Sequence, residues 1–75
     1  MREFTFLVNS NDEAARLEGI AFSMGASRIN QEGWTEEYGG SGILMFIESA
    51  MPKREWNVIV SGFNSVQLLK SRKVA

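Results

Sequence analysis

Seventy-five residues with a formal net charge of −1 make a single domain, residues 1–75, and a chain this short buries only about 60% of the surface its unfolded form exposes. Cysteine and histidine are both absent, which excludes disulfides, thiolate zinc sites and imidazole acid–base chemistry. Stability beyond that of a small core would then come from association.

Apolar residues make up 44% and charged residues 23%, the balance of an ordinary globular domain. No run approaches the roughly 20 apolar residues of a membrane span. The opening MREFTFLVNSND lacks the continuous apolar region and small-residue cleavage site of a signal peptide. A cytoplasmic protein with no membrane partner is expected. Residues 1–50 hold eight acids against three bases, and residues 51–75 hold five bases against one acid. That polarity steers partners if the two halves of the sequence are also separate in space.

Residues 3–9, EFTFLVN, alternate, with Phe4, Phe6 and Val8 on one side and Glu3, Thr5 and Leu7 on the other. This predicts a strand with one apolar face. Ser10 stands three residues before Glu13, the spacing of a capping box, and Asp12 and Glu13 complement a helix N-terminus. Ala14, Leu17, Ile20, Ala21 and Met24 recur at helical spacing, and Gly25 suits the left-handed residue that ends a helix. The pattern predicts a helix over residues 11–24.

Residues 27–38, SRINQEGWTEEY, read as a polar strand. Ile29 and Trp34 have opposite parity. A bulge at Gly33 would turn both inward; a regular strand would display Trp34. Gly39-Gly40-Ser41-Gly42 reads as a hairpin turn, because it lacks the lysine and following helix of a phosphate loop. Residues 43–47, ILMFI, are apolar at every position, as in a strand covered on both faces.

Beyond Pro52 two readings compete. Trp56, Ile59, Val60 and Phe63 fit a helical stripe, whereas Trp56, Val58 and Val60 fit a strand face. The three consecutive β-branched residues and Gly62 favour the strand. Asn64-Ser65-Val66-Gln67 then resembles a helix start, with Leu68 and Leu69 inside a short helix and Lys70, Arg72 and Lys73 near its end. The expected fold is α+β: a small antiparallel sheet with two helices on one face, in the order β-α-β-β-β-α. The alternative, with a helix over 52–63 and a strand over 66–74, is the ferredoxin-like order β-α-β-β-α-β.

Catalysis needs an activated nucleophile, carboxylates paired in a pocket, or a metal. Only Glu32, Glu36, Glu37 and Glu48 suggest a cluster, and solvated glutamates are poor bases at neutral pH. The spacing of a calcium loop is missing. The expectation is a protein that is not an enzyme and has no cofactor, metal site or catalytic residues. For nucleic acid, the order α-β-β-β-α after the first strand is similar to that of double-stranded RNA-binding domains. That family grips phosphate with bases at the start of the last helix, whereas Lys70, Arg72 and Lys73 come late here. Against the aromatic-rich third strand of the RNA-recognition motif, GSGILMFI offers only Phe46. Overall acidity also opposes binding to a polyanion. A small RNA- or DNA-binding domain using Lys70, Arg72 and Lys73 therefore stands as the alternative function.

The preferred function is protein binding. Helices on one face of a single sheet leave the other face open, and Leu7, Leu44, Phe46 and Ile59 are the residues expected to line it. A monomer rarely exposes a large contiguous apolar patch, so a second copy in a homodimer, or another protein, is expected to cover it. Trp34 and Tyr38, ringed by Glu32, Glu36 and Glu37, form an acidic-aromatic hairpin suited to a partner with a basic surface. In size and in lack of catalytic residues the chain resembles small phage-encoded inhibitors of nucleic-acid-binding machines. That likeness implies a viral inhibitor or adaptor.

Overall fold

The structure, a computed structural model, describes residues 1–33 and 42–74. Its elements are β1 (Arg2–Val8), α1 (Asn11–Ser23), β2 (Arg28–Glu32), β3 (Ile43–Ser49), α2 (Lys53–Val60) and β4 (Val66–Lys73). The strands form one antiparallel sheet in the order β2-β3-β1-β4. The α+β class and the antiparallel sheet are as expected. The chain order is β-α-β-β-α-β, the alternative of the two expected orders, so the second half of the preferred one is corrected: residues 53–60 are helix and residues 66–73 are strand.

The cause of that correction is packing. Val58, Ile59 and Val60 favour a strand locally, but the helical stripe carries Trp56 onto β1. The indole is fully buried and lies 5.8 Å from the ring of Phe4 and 5.5 Å, edge-on, from that of Phe6. Tilted and edge-to-face contacts of this kind are favourable beyond the area they bury. Among the described residues the indole Nε1 has no hydrogen-bond partner, so the packing outweighs the cost of an unpaired buried donor, about 1–3 kcal/mol. One core joins Phe4, Phe6 and Val8 of β1, Met45 and Ile47 of β3, Ala14, Leu17 and Ala21 of α1, and Trp56 of α2. Both helices therefore lie on the same face of the sheet.

The entry to α1 follows the expected pattern only in part. The Ser10 hydroxyl accepts from the Glu13 N–H at 3.3 Å, as an N-cap should. The Glu13 carboxylate reaches across the domain, where it accepts from the backbone N–H of Asn64 (3.0 Å), from the backbone N–H of Ser65 (2.7 Å) and from the Ser65 hydroxyl. This ties the start of α1 to the loop before β4. The Ser65 hydroxyl is the largest cause, followed by the Asn64 N–H, that holds the Glu13 pKa below the ordinary glutamate value; burial opposes them. Arg16 stands 4.0 Å from the same carboxylate and also lies over the Phe63 ring, 4.7 Å from its centroid. At the same end of the sheet, Gly42 adopts φ +114°, and a Cβ there would meet the Val8 carbonyl at 3.1 Å. Only glycine lets β3 begin this close to the end of β1.

Two outcomes are expected. Trp56→Ala lowers the unfolding free energy by about 3–5 kcal/mol in urea titrations, and a loss below about 1 kcal/mol would mean that the indole is not the centre of the core. Glu13 has a lowered folded-state pKa, so its contribution is complete above the unfolded-state value and disappears as pH falls through the folded one. Glu13→Gln should lower the melting temperature at neutral pH and flatten its decline in acid.

Candidate functional site

The helix-free face of the sheet is a grid whose rows follow from the strand register. Arg28, Glu48, Glu3 and Arg72 form the first row across β2, β3, β1 and β4. Asn30, Phe46, Thr5 and Lys70 form the second, and Glu32, Leu44, Leu7 and Gln67 the third. Three of the four residues expected on an apolar open face, Leu7, Leu44 and Phe46, are thus brought together. Ile59 is not among them. It lies on α2 and packs against the core on the opposite side of the sheet.

The apolar centre is small. Leu44 is 5% exposed and Thr5 is 2% exposed, while Leu7 and Phe46 are half-buried. The large hydrophobic side chains standing most clear of the described residues are elsewhere: Met1, Phe22, Met24 and Val58. The expectation of a broad bare face is therefore corrected to a narrow one. Asn30 and Lys70 flank Phe46 and Thr5, and Glu32 and Gln67 flank Leu44 and Leu7. Long polar side chains can lay their aliphatic stems over such neighbours while their heads stay in water.

One irregularity sets the outer column. The β1–β4 register shifts between Thr5 and Phe6, so Leu69 has no partner while Leu68 pairs with Phe6 and Lys70 with Thr5. Such a bulge re-aims every side chain beyond it. Here it turns Lys70 and Arg72 to the helix-free face and Lys73 to the helix side. The three bases expected to act together at the end of a helix are divided between two faces of a strand.

Electrostatically the first row is balanced. Glu3 and Glu48 are direct cross-strand partners, a like-charge pairing that costs stability. Each is matched on its outer side: Arg72 Nε donates to Glu3 Oε1 at 2.9 Å, and Arg28 Nε lies 3.9 Å from Glu48 Oε2. Among the described residues no group of three or more acids is placed to hold a metal ion, and no helix is long and apolar enough to cross a membrane. A cavity of about 240 Å³, lined by Val8, Asn9, Ser10, Asn11, Gly42 and Ile43, opens where β1 ends and α1 begins. Trp34, Glu36, Glu37 and Tyr38 lie outside the described residues.

Thr5, Asn30 and the four-residue charge ladder are members of this face that residue patterns alone did not single out. The alternation of β1 carries Thr5, but the ladder needs the register of three strand pairs. Comparison with protein-family models, curated proteins and solved structures finds no match to this chain.

Removing both flanking bases with Arg28→Gln and Arg72→Gln leaves Glu3 facing Glu48 alone. The urea midpoint should fall, with the drop larger at low salt than at high salt. Each single pair is expected to couple by under about 1 kcal/mol in a double-mutant cycle.

Proposed function

We propose that this chain is a non-catalytic binding module that engages a protein partner through the helix-free face of its sheet, as an inhibitor or adaptor. The observation that carries this reading is the make-up of that face. Half-buried Phe46 and Leu7 sit beside buried Leu44, bounded by polar side chains and by a charge-balanced row. A small apolar centre within a polar rim is the anatomy of a non-obligate interface, and a central aromatic is the favoured anchor.

In one of the two symmetric stackings the charges favour a different protein over a second copy of this chain. Two copies stacked face to face about an axis along the strands would set Arg28 over Arg72 and Glu3 over Glu48. This arrangement places like charges together along a whole row, which opposes association. About an axis across the strands, Lys70 would meet its own equivalent while Arg28 would meet Glu32, and that arrangement is the one the sedimentation test must exclude. The same face carries three acids and three bases (Glu3, Glu32 and Glu48; Arg28, Lys70 and Arg72), so it has no net attraction for a polyanion. That supports a protein partner over nucleic acid at this surface.

The test joins sedimentation with capture of a partner from host extract by the purified chain. The unmodified chain should sediment alone as a monomer and retain one partner. Phe46→Glu should keep the melting temperature within a few degrees and lose that partner. A Phe46→Glu chain that captures the same partner with unchanged affinity would falsify the proposal.

A further inference from the structure

The opposite side of the same strand ends carries a different charge pattern. Arg2 and Lys73 are direct cross-strand partners on β1 and β4, in line with Phe4 and so on the helix side. Like charges placed opposite each other weaken a strand pair. The acids that could relieve them, Glu3 and Glu48, are turned to the other face and engaged with Arg72 and Arg28.

Two further bases converge on this corner. Ser49, at the end of β3, is the other cross-strand partner of Arg2. Its hydroxyl accepts from the Met51 N–H at 3.0 Å, in the turn that leads into α2. That helix therefore begins, with Lys53 and Arg54, beside the Arg2–Lys73 pair, and it packs along β4. Arg2, Lys53, Arg54 and Lys73 are all exposed, and among the described residues none is in an ion pair. Glu55, in the first turn of α2, is the acid nearest in sequence. The corner keeps a net positive charge, to which the N-terminal end of the α2 dipole adds.

We propose that this corner binds the phosphodiester backbone of a nucleic acid, on a surface separate from the protein-binding face. Four bases spread over two strand ends and a helix start match a line of phosphates, which is recognised by charge rather than by sequence. A lipid surface or an acidic peptide would call for apolar anchors among the bases. Of the exposed large hydrophobics, only Val58 stands among the bases, one turn beyond Arg54 on α2, and one valine is a small anchor for either. Phe22 and Met24 lie at the end of α1, which packs on β1 and β3. Met1, whose carbonyl accepts from the Val74 N–H at 3.2 Å, turns its thioether away from β4, to 3.7 Å from the Ser27 hydroxyl.

The experiment is fluorescence anisotropy of a labelled 20-nucleotide single strand and its duplex against the full chain, across a salt series. Four phosphate contacts predict a log–log salt slope of about −3 for the single strand and about −3.6 for the duplex. Lys53→Gln with Arg54→Gln should reduce that slope by about 2, as should Arg2→Gln with Lys73→Gln. The Arg2/Lys73 variant should also raise the urea midpoint, because it removes the opposed charges. Phe46→Glu should leave oligonucleotide binding unchanged, so failure here is distinguishable from failure at the sheet face. Three outcomes would overturn the proposal: no binding at low salt, a slope unaltered in both double variants, or tighter binding to phosphatidylserine vesicles than to either oligonucleotide.

Discussion

The contact on which this fold depends is that of Trp56 with Phe4 and Phe6. A domain without cysteines has no disulfide to supplement its core, and among the described residues the indole is the largest side chain fully enclosed there. Its burial requires residues 53–60 to be helical, against the strand preference of Val58, Ile59 and Val60. Once that helix covers β1, the free edge of β1 has residues 66–73 as its partner, and β1 becomes an inner strand. A single aromatic contact thus selects between the two chain orders that the residue pattern allows.

The two faces of the sheet then acquire different chemistry from strand parity and one bulge. Towards the helices, alternate residues of β1 and β3 are apolar until the strand ends, where Arg2 and Lys73 oppose each other. Away from the helices, two adjacent acids, Glu48 and Glu3, are flanked by two bases, Arg28 and Arg72, in a balanced first row. The bulge at Leu69 makes this division by turning Arg72 towards Glu3 and leaving Lys73 behind with Arg2. Charge that is nearly neutral over the whole chain is therefore balanced on one surface and unbalanced on another. The proposed protein interface and the proposed phosphate site can coexist in so small a domain because they lie on opposite sides of the same strands.

Glu13 connects these parts. Its carboxylate satisfies the N–H groups of Asn64 and Ser65, and this positions the loop from which β4 starts. The adjacent Asn9 N–H donates to the Ser65 carbonyl at 3.0 Å. The register of β4 on β1, and with it the side to which each base points, is anchored at this junction. A residue whose spacing suggests a local helix cap serves a contact between segments far apart in the chain, because an ionised carboxylate gains more from several strong donors than from one.

Much was legible from residue order alone. The alternation of Phe4, Phe6 and Val8 marks β1 and its buried side. The spacing of Ala14, Leu17 and Ala21, with Ser10 before them, marks α1, and the unbroken apolar run from Ile43 to Ile47 marks an inner strand. These signals are local, because periods of 2 and 3.6 residues report which side of an element is buried whatever it packs against. Tertiary structure alone decided the state of residues 53–73, the register that gathers Leu7, Leu44 and Phe46, the removal of Ile59 to a helix and the separation of Lys73 from Lys70 and Arg72. Each of these depends on partners distant in sequence, on pairing across strands and on the packing of one indole, and no window along the chain contains both members of such a contact.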